Sequence, residues 1–236
     1  MGAVILLGLA GIALLGLTIL MPDAEVRALF AAGTLAAVAG VVLTLRGRIA
    51  RLIGELDRAA GTDPLTGVLN RRRFDEQFAV EVERQHRTER PLALVLLDLD
   101  RFKRINDSHG HEAGDRVLRE FAAVLEDETR AVDVVARLGG DEFAVLAPET
   151  DGAEAAILAE RLRERVRACF ADRPVPLTVS AGVAIAPNDG PGPIELSRAA
   201  DRALYRAKSL GRDLVAFARA GRGGYDVPSR PLSSTK

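Results

Sequence analysis

Acidic residues stand at two places in this sequence where a core would reject them and a cation would not. The first is Arg137-Leu138-Gly139-Gly140-Asp141-Glu142-Phe143. Apolar β-formers flank it at Val132, Val134 and Val135 and at Phe143, Val145 and Leu146, so the Gly-Gly pair reads as the tight turn of a β-hairpin. A turn without side chains lets a bulky anionic ligand approach the backbone closely, and Asp141 and Glu142 directly after it are well placed for a metal. The second place is Asp98-Leu99-Asp100, which ends the continuous apolar run Leu92 to Leu97. That run reads as a buried central strand. Side chains alternate along a strand, so Asp98 and Asp100 point to one side, where two carboxylates need a cation, a base or solvent. The chemistry these groups suit is that of a hard cation held by oxygens beside an anionic ligand.

The elements that must position these residues follow from the periodicity. Gly61-Thr62-Asp63-Pro64-Leu65-Thr66-Gly67 breaks one helix, and Asn70 to Arg90 resumes helical spacing with Phe74, Phe78 and Val82. Phe102 to Asp107 is a turn or short helix, and His109 to Asp115 leads into the amphipathic helix Arg116 to Glu128. Beyond the hairpin come a helix over Gly152 to Phe170, a strand over Leu177 to Ile185, a helix over Glu195 to Ser209 and a short strand over Leu214 to Phe217. The order β, α, β-hairpin, α, β, α, β gives an α/β mixed central sheet covered by helices. His109 and His111 have no further His or Cys near them, so zinc ligation is not expected there.

With 32 basic and 33 acidic residues the net charge is −1. Arginines interspersed with acids form a solvated surface and give no reason to propose nucleic-acid binding. A single cysteine, Cys169, excludes disulfide scaffolding, and its helical setting predicts a packed thiol. Gly2 to Leu20 and Ala28 to Leu45 carry no charged side chain. Each approaches the ~20 residues that cross a bilayer as a helix, so residues 1–45 are expected to form a transmembrane two-helix hairpin. Arg46, Arg48 and Arg51 follow the second run, which places residues 46 onward in the cytoplasm of a bacterial-type inner membrane, as a multi-pass protein. Residues 46–60 continue as a linker or coiled-coil helix, with Ile49, Leu52, Leu56 and Ala59 at a and d spacing. Gly33 with Ala37 and Ala36 with Gly40 offer close helix contact. Residues 219–236, rich in Gly, Ser, Pro and Arg, read as a disordered tail.

The string around Asp141 resembles the signature of the GGDEF family, the diguanylate cyclases. Further motifs fall at the family's intervals: Asp63-Pro64-Leu65-Thr66-Gly67, Asp98-Leu99-Asp100, Phe102-Lys103, Asn106-Asp107, Gly110-His111, Gly114-Asp115, Ser180-Ala181-Gly182 and Ala200 to Asp213. The resemblance covers residues 61–218 and implies a palm-like nucleotidyl cyclase fold. It implies that two GTP condense to cyclic di-GMP and two pyrophosphates in a homodimer, since one domain has no place for the attacking nucleotide. It further implies magnesium or manganese on Asp98, the carbonyl of Leu99 and Asp141, with Glu142 either a further ligand or the acceptor of the 3′-hydroxyl proton. Gly139 and Gly140 form the catalytic turn. Lys103, Lys208, Arg212 and the backbone at Phe102 take the phosphates. Asn106 and Asp115 read guanine, whose N1–H and exocyclic amine suit a carboxylate as adenine does not. Arg130 and Asp133 match an RxxD product-inhibition motif, with Arg161 as a secondary contact. The rival expectation is a catalytically silent cyclic di-GMP receptor signalling through the membrane hairpin.

Overall fold

The computed structural model describes residues 23–173 and 176–218 and divides into two compact units, Met1–Ala59 and Ala60–Lys236. In the first, helix α1 spans Ala24–Ala60. Its stretch Ala24–Ile49, 26 residues with mean hydropathy 2.2 and none of it buried, exceeds the length that crosses a bilayer. Among the described residues it is the one helix of that kind. The first apolar run, Gly2 to Leu20, and the tail 219–236 lie outside the described residues, so the expected hairpin reduces here to a single helix. The apolar segment passes into the arginine-rich linker without a break. Of the expected seam, Ile49 is exposed; the side chains of Leu52, Leu56 and Ala59 lie outside the description.

The second unit is a mixed six-stranded sheet in the order β1-β3-β4-β2-β5-β6. The strands are β1 Leu69–Asn70, β2 Leu92–Leu99, β3 Val134–Gly139, β4 Glu142–Pro148, β5 Val179–Ala186 and β6 Val215–Phe217. The two outer pairings are parallel and the three inner ones antiparallel. Helices α2 Arg71–Thr88, α3 Phe102–His109, α4 His111–Asp127, α5 Gly152–Cys169 and α6 Pro193–Ser209 complete it. β2 is apolar from Leu92 to Leu97, as a strand covered on both faces requires. Ala93, Val95, Leu97 and Leu99 join the core under α4 and α5, whereas Leu92 and Leu94 join Phe74, Phe78 and Leu196 of α2 and α6.

β1 is absent from the sequence expectation because it has two residues, one of which, Asn70, also caps α2 by accepting from the Arg73 N–H at 3.0 Å. Cys169 is exposed rather than packed. It is the last residue of α5, and Val166 and Phe170 occupy the buried face on either side of it.

Two contacts carry testable consequences. A Cβ on Gly182 of β5 would stand 2.2 Å from the Ala200 carbonyl oxygen and 2.3 Å from the Leu204 nitrogen. α6 presents alanines at 199, 200, 203 and 207 and lies on the sheet too closely for any side chain there. Gly182→Ala is expected to cost about 3 kcal/mol or more, read as a lowered urea midpoint; an unchanged midpoint would show that α6 moves aside freely. At the opening turn, the Asp63 carboxylate accepts from the Thr66 N–H at 2.9 Å, the Thr66 hydroxyl at 2.7 Å and Arg137 Nη1 at 3.1 Å. Burial pushes the Asp63 carboxyl up, but these donors outweigh it and hold it below its ordinary value. The resulting stability is complete above the unfolded pKa, roughly pH 4, and is lost as pH falls through the folded one. Asp63→Asn should therefore cost about 1–3 kcal/mol at neutral pH, and the gap to the wild type should close in acid. A gap independent of pH would remove the carboxylate's charge from the account.

Candidate active site

Strand register makes the site. β2 and β4 run antiparallel with Asp98 opposite Glu142, and the Leu99 N–H donates to the Asp141 carbonyl at 3.3 Å. Asp98, Leu99, Asp141 and Glu142, read from two separate motifs, are thus brought to one end of the sheet. The register of β3 with β4 shifts between Arg137 and Gly139, and Gly139 pairs with Glu142. The two turn residues are therefore Gly140 and Asp141, one position later than the Gly-Gly pair. Gly139 at φ 148° and Gly140 at φ 53° hold conformations that disfavour a side chain.

Arg137 donates from Nε and Nη2 to the Gly140 carbonyl at 3.0 and 2.8 Å while its Nη1 holds Asp63. From the first turn of α2, Arg71 donates Nε to the Leu138 carbonyl at 2.8 Å and places Nη2 3.9 Å from Glu142. Neither arginine was singled out from the sequence, although Arg137 stands two residues before the glycines and Arg71 directly follows the helix cap.

Asp98 is paired with Lys208 Nζ at 2.7 Å. Burial raises its carboxyl above the ordinary value, the Lys208 ammonium opposes this, and the charges of Asp141 and Glu142 add to the rise. Lys208, expected on a phosphate, here neutralises a carboxylate. Asp100, expected with Asp98 to need a cation, a base or solvent, is satisfied by hydroxyl and backbone donors. It is buried and accepts from the Thr178 hydroxyl at 2.7 Å, the Ser180 hydroxyl at 2.7 Å and the Asp213 N–H at 2.9 Å. Among the described residues no three His, Cys, Asp or Glu side chains form a metal cage. A magnesium ion keeps several waters and takes one or two carboxylates, and Asp98 and Asp141, beside the Leu99 backbone, fit that smaller set.

Arg101 at φ 58° turns the chain from β2 into α3, whose N-terminus has no side-chain cap. The amides at Phe102 and Lys103 open that helix, where backbone donors favour an anion. Lys103 and Arg212 are exposed. Asn106 on α3 and Asp115 on α4 are both half-buried, and the helices carrying them are joined through Gly110. His109 and His111 are exposed.

Arg130 and Asp133 form a separate locus. The Asp133 carboxylate accepts the Arg130 N–H at 2.8 Å, and the Asp133 N–H returns to the Arg130 carbonyl at 2.9 Å. The second Asp133 oxygen is buried without a partner. They line a groove of ≈ 350 Å³ with Val68, Leu69 and Glu126. Arg161 does not join Asp133; it donates to the Glu128 carbonyl at 2.6 Å and pairs with the Glu128 carboxylate at 3.3 Å.

Residues 60–214 match the model of the family described as diguanylate cyclase, GGDEF domain. The chain is 46% identical over 160 residues to diguanylate cyclase DgcP of Pseudomonas aeruginosa, covering 66% of this chain and 24% of DgcP. It is 40% identical over 184 residues to the cyclic di-GMP phosphodiesterase NbdA of the same organism, covering 74% of this chain and 24% of NbdA. The chain thus spans about a quarter of the length of either relative. The crystal structure of the GGDEF domain of DgcB from Caulobacter crescentus in complex with c-di-GMP superposes with a TM-score of 0.64 at 32% identity, covering 68% of this chain and 97% of that one. The shared sheet, the paired acidic motifs and a match over most of the second unit make this chain a member of the diguanylate cyclase GGDEF domain family.

Proposed function

We propose that the chain condenses two GTP into cyclic di-GMP and two pyrophosphates, each 3′-hydroxyl attacking the α-phosphate of the other nucleotide. The observation that carries this reading is the register that sets Asp98 opposite Glu142, with every residue of the acidic hairpin motif intact. Magnesium or manganese on Asp98, the Leu99 carbonyl and Asp141 would neutralise charge on the phosphates. Glu142 completes that set or takes the 3′-hydroxyl proton. Lys103, Lys208, Arg212 and the α3 amides hold the triphosphate, and Asn106 and Asp115 pair with guanine. On substrate arrival Lys208 exchanges Asp98 for phosphate oxygens.

Two half-sites must meet, so the active species is a homodimer. α1 supports this. Among the described residues no atom stands within 4 Å of where a Cβ on Gly33, Gly40 or Gly47 would lie, so no described residue uses the space that each glycine leaves. Glycine inside a helix costs about 1 kcal/mol relative to alanine, and close approach of a second helix in a membrane is what such residues permit. α1 anchors the protein in the bacterial inner membrane with the catalytic unit in the cytoplasm. Relatives of known structure include one with c-di-GMP bound, and the groove lined by Arg130 and Asp133 suits product binding. The same groove favours the second reading, a receptor without catalysis.

Asp98→Asn and Asp141→Asn are each expected to lower cyclic di-GMP formation by about 100-fold or more, with circular dichroism unchanged. Substantial synthesis by either folded variant would end the assignment. Arg130→Ala should start at the wild-type rate and continue to roughly tenfold higher product, because a charge-assisted contact is lost from the inhibitory groove. Equal inhibition of both proteins by added cyclic di-GMP would sink the inhibitory site, and binding with no synthesis in either would establish the receptor.

A further inference from the structure

Gly114 lies in the first turn of α4, buried, one residue before Asp115. A Cβ built on it would stand 2.0 Å from Asn106 Oδ1, 3.0 Å from Asn106 Cγ and 3.1 Å from Phe102 Cζ. The side-chain amide of Asn106 therefore occupies the volume that any other residue at 114 would fill. α3 and α4 are locked in this approach by their junction. The Gly110 N–H donates to the Asn106 carbonyl at 2.9 Å, and the Ala113 and Gly114 N–H groups return to the Gly110 carbonyl at 3.2 and 3.3 Å. The absent side chain, and not backbone freedom, is what position 114 supplies.

We infer that Gly114 is a specificity-determining positioning residue: its missing side chain leaves the volume in which the Asn106 amide lies against α4 beside Asp115, so that the two polar groups face one base together. This rests on the reading above that Asn106 and Asp115 recognise guanine. Gly114 touches no nucleotide and acts through Asn106. A methyl at 114 evicts the far end of a flexible side chain, which swings away from α4, while the α3–α4 backbone stays. A base-reading site whose groups no longer converge loses discrimination more than it loses general nucleotide affinity. The phosphate contacts at Lys103, Lys208 and Arg212 are untouched.

The test is a double-mutant cycle on the full chain, reading displacement of a fluorescent GTP analogue by GTP and by ATP, with folding checked by circular dichroism. Asn106→Ala should reduce the GTP-over-ATP preference roughly tenfold. Gly114→Ala should reduce it by a similar factor with ATP affinity nearly unchanged. Asn106→Ala/Gly114→Ala should match Asn106→Ala alone, since the methyl then has no amide to displace. If Gly114→Ala keeps the wild-type preference while Asn106→Ala loses it, or if the two losses multiply, the inference fails. Should Gly114→Ala not fold, recovery of the fold in the double variant supports competition for one volume, and failure of both overturns it. An Asn106→Ala protein with wild-type preference would instead refute the guanine pocket itself.

Discussion

The antiparallel pairing of β2 with β4 is the constraint on which the site depends. It sets Asp98 against Glu142 and ties Leu99 to Asp141 through the backbone, so three carboxylates meet at one end of a sheet whose interior is apolar. Burial raises the Asp98 carboxyl, the charges of Asp141 and Glu142 add to the rise, and Lys208 offsets part of it. A site poised in this way gains when positive charge arrives, because each added cation relieves repulsion that strand hydrogen bonds prevent the side chains from escaping. The ladder supplies the rigidity, and the carboxylates supply the field.

The hairpin is tied to the rest of the domain by two arginines as well as by its ladder. Arg137 binds the turn carbonyl of Gly140 and the opening-turn carboxylate of Asp63 with one guanidinium, and Arg71 binds the Leu138 carbonyl from the start of α2. Arginine suits this because its fork of donors serves several acceptors in fixed geometry. The parallel pairing of Leu69 and Asn70 with Ala136 and Arg137 brings the same two segments side by side. The position of Asp141 and Glu142 is therefore set partly by residues some seventy positions earlier.

Much of this was legible in the residues. The continuous apolar run of β2, the glycine hairpin and the 3.6-residue spacing of α2 and α6 each announce one element, and the acids at Asp98, Asp141 and Glu142 are conspicuous because no core accepts them. What escaped were features that only tertiary contact creates. β1 is two residues long and has no periodicity. The turn lies one residue beyond the Gly-Gly pair because a register shift at Leu138 depends on the partner strand. Asp98 and Asp100 looked alike, yet one pairs with Lys208 and the other with Thr178, Ser180 and the Asp213 amide. The single Cys169 looked buried by residue type, but at a helix end the face, not the type, decides.

Asp100 explains how the unusual backbone around the site is sustained. Among the described residues five non-glycine residues have positive φ, and Arg101, Arg212 and Asp213 are three of them. Such conformations cost free energy and persist where surroundings over-determine them. Asp100 directly precedes Arg101, and its carboxylate takes the N–H of Asp213 along with two hydroxyls from the stretch that enters β5. Asp213 is held from its other end by Arg163 at 2.8 Å, whose guanidinium is itself kept above its ordinary pKa: burial lowers it, but Glu160 and Asp213 more than compensate. One buried carboxylate thus fixes both the turn that starts α3 and the loop that carries Arg212. Because those two turns present Lys103 and Arg212, the placement of the exposed cations is determined by a residue that need not touch a ligand at all.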